Sequence, residues 1–336
     1  MTAPMSDAAA AFLRAMRAEF HAVFDDWVPS GARVGLLNVA DYPNVGDGAI
    51  FLGELAYLRD RGTELVQCST VRTFDPDRLR RDLGPDGVVL LQGGGSFGDL
   101  YPAHHAFRER VARLFPDHRI VTFPVTWKFR DERAVERSRR IFGGHGGFHL
   151  ATRDAPSTEA AAALGVDVRL SPDAAFALGP LERGWTPRMP IRILGRTDEE
   201  GGFDVPADLR DQAVDWLSDP PAVRALHVAS RLAWLAGTPG GKLGRLADQL
   251  TLRSAQRRFA YGSKLLADGE VVVSDRLHAA IMSTLRGIPV FMVGDKYGKL
   301  RNFHDAWLKD SPTVTWNDDF PSALAAAREH LAAEGR

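Results

Sequence analysis

The sequence predicts an α/β fold in which parallel sheets are covered by helices on both faces. Two observations lead there. Short aliphatic runs recur between segments whose apolar residues step by three and four, the alternation that builds βαβ units. Several of those runs end in Gly, Ser, Asn or Asp just before a helical pattern begins, as parallel strands do where they hand over to a helix. The chain has 336 residues, enough for two domains at roughly 100–200 residues each.

The first element lies between Asp7 and Trp27, where Phe12, Leu13, Met16, Phe20, Val23 and Phe24 recur at helical steps and predict an amphipathic helix. Strands are predicted at 34–37, 88–91, 120–123 and 148–152, with a weaker one at 65–68. Helices near 48–60, 104–115, 131–142 and 156–164 separate them. A second series of strands begins at 191–194 and continues at 225–228, 271–273 and 290–293, with helices near 205–217, 277–286 and 319–333. Residues 179–190 are rich in proline and glycine and make the natural hinge. The expected architecture is two doubly wound, Rossmann-like domains, 1–180 and 190–336, facing each other across a cleft. Ligands are expected beyond the carboxyl ends of the strands.

Composition narrows the function classes. Formal net charge is −1, which leaves no electrostatic footprint for nucleic acid. The one cysteine, Cys68, can form no intrachain disulfide, which fits a reducing compartment. Asp7, Arg14, Arg17 and Glu19 interrupt the N-terminal stretch, so it does not read as a signal peptide. No run of about 18 uncharged apolar residues predicts a membrane span. A cytoplasmic protein is expected.

Chemistry is expected at four strand ends. Asn44, Gly46 and Asp47 follow the first strand and open a helix whose free N–H groups can hold an anion; Asp47 serves equally well as a cap. Gly93, Gly94 and Gly95 follow the strand at 88–91, with Asp99 shortly after. A glycine triplet lets backbone close on a ligand, although neither the P-loop lysine nor the dinucleotide glycine spacing is present. Arg153 stands beyond the strand at 148–152, placed either to bind an anion bidentately or to form a salt bridge. Asp173, in a Pro-Asp pair, is an ordinary turn residue by itself. The strand at 271–273 ends at Ser274, and Arg276, Leu277 and His278 open the next helix, where the Arg and His can curl toward a ligand held on terminal N–H groups.

Together these segments resemble the polysaccharide pyruvyl transferase family. Its members share an Asn-x-Gly-Asp turn, a Gly-Gly-Gly loop with a following Asp, an Arg-Asp pair before a helix, and a late Arg-Leu-His signature. Here they stand, in family order, at Asn44, Gly46 and Asp47; Gly93, Gly94, Gly95 and Asp99; Arg153 and Asp154; and Arg276, Leu277 and His278. Gly287-Ile288-Pro289-Val290 and the stretch from Asp295 to Lys299 extend the likeness, particularly to bacterial exopolysaccharide members. It runs from about residue 38 to residue 309. One departure bears on the contacts lining the cleft: members often carry Pro-Gln-Ser after the fourth strand, where this chain has Pro124-Val125-Thr126-Trp127.

The resemblance implies an arrangement similar to two-domain GT-B glycosyltransferases, with phosphoenolpyruvate as donor. It implies a hydroxyl pair of a cell-surface glycan, or of its lipid-linked precursor, as acceptor, and a pyruvate ketal and phosphate as products. The acceptor side then falls in 1–180 and the donor anion site in 190–336. Phosphoenolpyruvate is doubly anionic, so Arg276, Arg153 and Lys299 are the expected cations, with the N–H groups after Ser274 holding an oxygen. His278 is the expected acid/base. Asp47 and Asp99 are the further catalytic candidates, hydrogen-bonding the acceptor hydroxyls or serving as a base, with turn capping as the other reading. The scheme calls for no metal or cofactor, and the histidines and lone cysteine have no ligand spacing. Two other functions stay open: a nucleotide-sugar glycosyltransferase, and a non-catalytic carbohydrate- or anion-binding protein. Residues 231–260 hold six basic residues against one acid, interleaved with Trp234, Leu243, Leu246 and Leu250. They form either a solvated helix pair or a peripheral contact with the inner face of an anionic membrane.

Overall fold

The computed structural model describes residues 4–196, 213–216, 218–236, 242–295 and 298–335. Two all-parallel sheets organise them. The first holds β1 (Arg33–Leu37), β2 (Glu64–Ser69), β3 (Val88–Leu91), β4 (Gly94–Phe97), β5 (Arg119–Trp127), β6 (Phe148–Thr152) and β7 (Asp167–Leu170). Their spatial order is β2-β1-β3-β5-β6-β7, and β4 pairs with the carboxyl end of β5, Gly94 opposite Val125. The second sheet holds β8 (Met189–Leu194), β9 (Gly269–Ser274), β10 (Val290–Val293) and β11 (Val314–Asn317), in the order β11-β10-β9-β8. Residues 179–188, between the two, contain neither helix nor strand.

Helices cover both sheets: α1 (Asp7–Phe24), α2 (Val45–Asp60), α3 (Pro76–Leu83), α4 (Pro102–Leu114), α5 (Glu132–Phe142) and α6 (Ala155–Ala161) in the first half. The second half contributes α7 (Pro221–Ala236), α8 (Lys242–Ala267), α9 (Leu277–Leu285), α10 (Lys299–Phe303) and α11 (Phe320–Ala333). Their starts are written in the sequence. Asn44, Asp75, Asp131, Asp154 and Asp319 each accept a backbone N–H of the helix they open, and Pro occupies the first turn of α3, α6 and α11. Central strand β3 reads Val-Val-Leu-Leu with every residue buried, as a strand covered on both faces requires. Phe20, Phe24, Tyr57 and Phe123 pack on one face of the first sheet; Phe97, Phe107, Phe142 and Phe148 pack on the other.

The two sheets are joined by a shared core. Leu13 of α1, Val45 and Ala49 of α2, and Phe176 pack with Ala279, Ile281 and Met282 of α9. Helix α8 reaches back to the first sheet, where Asp248 pairs with Arg78 of α3. One predicted strand is a helix instead: residues 225–228 lie within α7, where Val223, Ser230 and Ala233 are buried at helical steps. Four residues, three of them apolar, are too few for a period of two to be distinguished from 3.6. The helix expected near 205–217 lies outside the described residues except for 213–216, which are not helical; Val214 there pairs in parallel with Leu194. Among the described residues, no helix is long and apolar enough to cross a membrane.

Candidate active site

The first strands and helices deliver their loops to one place. Asn44 caps α2, its Oδ1 accepting the N–H of Gly46 at 2.9 Å. Asp47, one residue on, points at the glycine loop: a Cβ built on Gly94 would lie 3.2 Å from its Oδ1. Gly94 has φ +104°, in the region that favours glycine. Buried polar side chains fix this loop from below. Gln92 accepts the Ala40 N–H (2.7 Å) and donates to the Asp47 carbonyl (3.1 Å). Arg108, fully buried, donates to the carbonyls of Ser96 (2.7 Å) and Gln92 (3.2 Å). Glu54 accepts the Gly93 N–H at 2.9 Å, and burial holds its carboxyl well above the usual range.

At the centre is a buried carboxylate shared by Arg153 and His278. Arg153 Nη1 donates to Asp173 Oδ2 at 2.8 Å, while its Nε donates to Thr126 Oγ1, also at 2.8 Å. His278 Nε2 lies 3.4 Å from the same Asp173 oxygen. Burial by itself would raise the Asp173 pKa, but His278, Arg153 and the Ala175 N–H together hold it below the usual carboxylate range. The other side of the imidazole lies against Gly46, where a Cβ would come within 2.6 Å of Nδ1. A Cβ on Gly95 would find Lys128 Nζ at 3.6 Å and Arg153 Nη2 at 3.7 Å. Trp307 Nε1 donates to the Arg153 carbonyl at 2.9 Å, tying in the C-terminal part of the chain.

The predicted residues thus divide. Asn44, Gly46, Asp47, Gly93, Gly94, Gly95, Arg153 and His278 come together. Arg276 is buried nearby in sequence, with Nη2 donating to Asp215 at 2.6 Å. Ser274 donates to the Leu194 carbonyl (2.6 Å) and accepts the Arg276 N–H (3.1 Å), so it fixes the turn between β9 and α9. Leu277 packs on the shared core. Asp99 accepts the N–H groups of Arg130 and Asp131, both at 2.8 Å, and braces the segment after β5. Lys299 begins α10, behind Gly298; Lys296 and Tyr297 lie outside the described residues.

Asp173, Lys128, Glu54 and Trp307 belong to the site without having stood out in the sequence. The position of Asp173 just past β7, at the same end of the sheet as the other motifs, was the signal available for it. Thr126, in the stretch that departs from the family pattern, turns out to hold Arg153. Two exposed tyrosines stand beside this centre. Tyr42 meets the His104 ring edge-on at 5.7 Å between centroids, and Lys128 Nζ sits 5.3 Å from the Tyr101 ring centre. Among the described residues, no group of three or more His, Cys, Asp or Glu side chains is placed to hold a metal ion.

Residues 44–297 match the family model described as polysaccharide pyruvyl transferase. The chain belongs to the polysaccharide pyruvyl transferase family. The match begins at Asn44 and spans the converging residues above except Tyr42 and Trp307. Pyruvyl transferase 1 of Schizosaccharomyces pombe is 33% identical over 289 residues, covering 82% of this chain and 70% of that one. EpsO of Bacillus subtilis, a candidate pyruvyl transferase, is 29% identical over 288 residues, with 82% and 86% covered. A functionally uncharacterized protein of Klebsiella pneumoniae has a similar fold: TM-score 0.51 and 16% identity over 93% of this chain and 99% of that one. The site joins cations, a glycine loop and exposed aromatic rings.

Proposed function

We propose that the protein transfers the pyruvyl group of phosphoenolpyruvate to two hydroxyls of a surface glycan or its precursor, forming a cyclic ketal and releasing phosphate. The observation that carries this reading is the buried Asp173, which holds Arg153 and His278 together against the glycine loop and the start of α2. Residues 1–180 would supply the acceptor side and 190–336 the donor anion site, facing as in GT-B enzymes.

In this scheme His278 gives its proton to the methylene carbon of phosphoenolpyruvate, leaving the adjacent carbon cationic. A first sugar hydroxyl adds there and loses its proton to the imidazole or to Asp47. Phosphate then leaves with its bonding electron pair, and the second hydroxyl closes the ketal. One hydroxyl proton replaces that spent on carbon, and the other leaves with phosphate. Asp173 remains ionised and keeps the imidazole oriented. Arg276 and Lys299 take the carboxylate and phosphate, Arg276 exchanging Asp215 for the ligand, and Arg153 and Lys128 line the glycine loop. Tyr42 and Tyr101 offer apolar faces to the sugar ring. Asp99 acts by holding the segment after β5, and no cofactor takes part.

The test is phosphate release from phosphoenolpyruvate across a panel of glycan acceptors. Acceptor-dependent release is expected, falling by at least about 100-fold in His278→Gln and abolished in Arg276→Ala. Turnover of His278→Gln within a few-fold of the parent at every pH would remove the histidine from the chemistry. Absence of both binding and release, with label transferred from a nucleotide sugar instead, would replace the reading altogether.

A further inference from the structure

Helices α7 and α8 form a hairpin whose outward face is apolar and unpartnered among the described residues. The inward side of α7 is fixed by Ser230, which donates to the Ala247 carbonyl at 3.0 Å and lies 3.1 Å from Thr251 Oγ1 of α8. Val223 and Ala233 are buried with it. Helical geometry then turns Val228, Leu232 and Leu235 to the opposite side, where they are 60–61% exposed. Leu243 and Leu246, at the start of α8, are 40% exposed. Of the large apolar side chains exposed among the described residues, these five are on the hairpin, and only Tyr42, Leu65 and Tyr101 are elsewhere. Scattered single exposures are ordinary; a concentrated stripe marks a contact.

Charge identifies what the stripe would meet. Between residues 221 and 267 there are eight basic residues and one acid, in a chain whose net charge is −1. The acid, Asp248, is turned inward onto Arg78. Arg224 and Arg231 flank the stripe on α7 and are exposed, as are Lys242, Arg245, Arg253 and Arg257 on α8. Basic groups bordering exposed Val and Leu fit a surface that is apolar inside and negative outside. A protein partner would need matching carboxylates, whereas an anionic lipid leaflet has both properties throughout.

We infer that the α7–α8 hairpin docks the protein peripherally on an anionic membrane, with Val228, Leu232 and Leu235 entering the headgroup boundary and the arginines resting on lipid phosphates. The hairpin also stands beside the loops that follow β1 and β2. A cavity of about 150 Å³ beside it is lined by Asp41, Thr70 and Arg72, from the loops after β1 and β2, and by His227, Val228 and Arg231 of α7. Docking therefore sets the acceptor end of the first sheet next to the bilayer, where a lipid-carried glycan would be presented. That consequence rests on the proposed reaction; the docking itself does not.

The experiment is co-sedimentation of the full chain with phosphatidylglycerol/phosphatidylcholine vesicles and with pure phosphatidylcholine vesicles, at low and high salt, without phosphoenolpyruvate. Binding is expected to the anionic vesicles alone and to weaken as salt rises. Substituting Val228, Leu232 and Leu235 together by Ser should abolish it, and Arg224→Gln with Arg231→Gln should weaken it by at least about tenfold. Both variants should keep the parent's melting temperature and its phosphate release from phosphoenolpyruvate with soluble acceptors. If the triple variant does not fold, Leu232→Asp alone takes its place. No binding to anionic vesicles, or binding that the apolar substitutions leave unchanged, overturns the inference. So does a concentration-dependent dimer that the same substitutions dissolve, which would make the stripe a contact between two copies. Because vesicle binding is read without turnover, its failure is distinct from failure of the proposed reaction.

Discussion

Asp173 holds the Arg153 guanidinium and the His278 imidazole at once, and removing its charge should be felt in both stability and turnover. In Asp173→Asn the buried Arg153 loses its carboxylate, so a destabilisation of about 3 kcal/mol is expected near neutral pH, measured by chemical denaturation. The sign of its pH dependence follows from the lowered folded pKa. The stabilisation is complete above the ordinary carboxylate pKa of about 4 and is lost as pH falls toward the lower folded value, so parent and variant should converge in acid. Asp275 is the opposite case. Burial raises its pKa to about 6, against the pull of the Arg196 N–H on its Oδ1. Its charge therefore costs stability above pH 6 and costs nothing below the unfolded value of about 4. Asp275→Asn should raise the unfolding free energy at pH 8 by an amount on the order of 1–2 kcal/mol, read by chemical denaturation, and leave it unchanged near pH 4. At this scale the sequence was partly legible. His278, Arg153 and the glycines stood out by type and by position after a strand. Asp173 did not, because a Pro-Asp turn looks the same whether or not its carboxylate is aimed at a buried arginine.

Helix α2 is the element on which the site is built, since it carries Asp47 at its start and packs against the turn holding Asp173. Two glycines allow that packing. A Cβ on Gly53 would lie 1.9 Å from the Ala174 carbonyl oxygen, so Gly53→Ala must push α2 off the turn. A loss of about 2–3 kcal/mol, with turnover falling as well, is expected from thermal unfolding and phosphate-release assays. At Gly46 the clash is with the His278 ring, 2.6 Å from a Cβ. Gly46→Ala should therefore reduce kcat more than it reduces stability, by displacing the imidazole from Asp173. Most of the first half was readable, since α1, α2, α5 and α6 each begin at a side-chain cap, whereas the short elements α3, β4 and β7 were not predicted. The misread run at 225–228 shows the limit, since it is apolar only because α7 faces the protein on one side and carries an exposed stripe on the other.

Across the whole molecule, the site draws on both sheets. His278 follows β9, Asp173 follows β7, and the contact between them links the two halves of the chain. Spacing along the chain predicted that each motif would stand at a strand end; it did not predict that α8 would fold back onto the first half. The pair of Arg258 with Asp219, bidentate at 2.6 Å on both bonds and buried, helps hold that return. Arg258→Leu should leave Asp219 buried without its partner and lower stability by about 3 kcal/mol in denaturant titration. The return also has a consequence in time. Strand β2 is the outermost strand of the first sheet, and Asp248, which anchors α8 to Arg78 alongside it, follows that arginine by 170 residues. At roughly 5–20 residues per second, a ribosome takes about ten to thirty seconds to supply it. During that interval the nascent chain presents an open strand edge to its neighbours on the same polysome, the kind of edge that pairs with another copy unless something shields it.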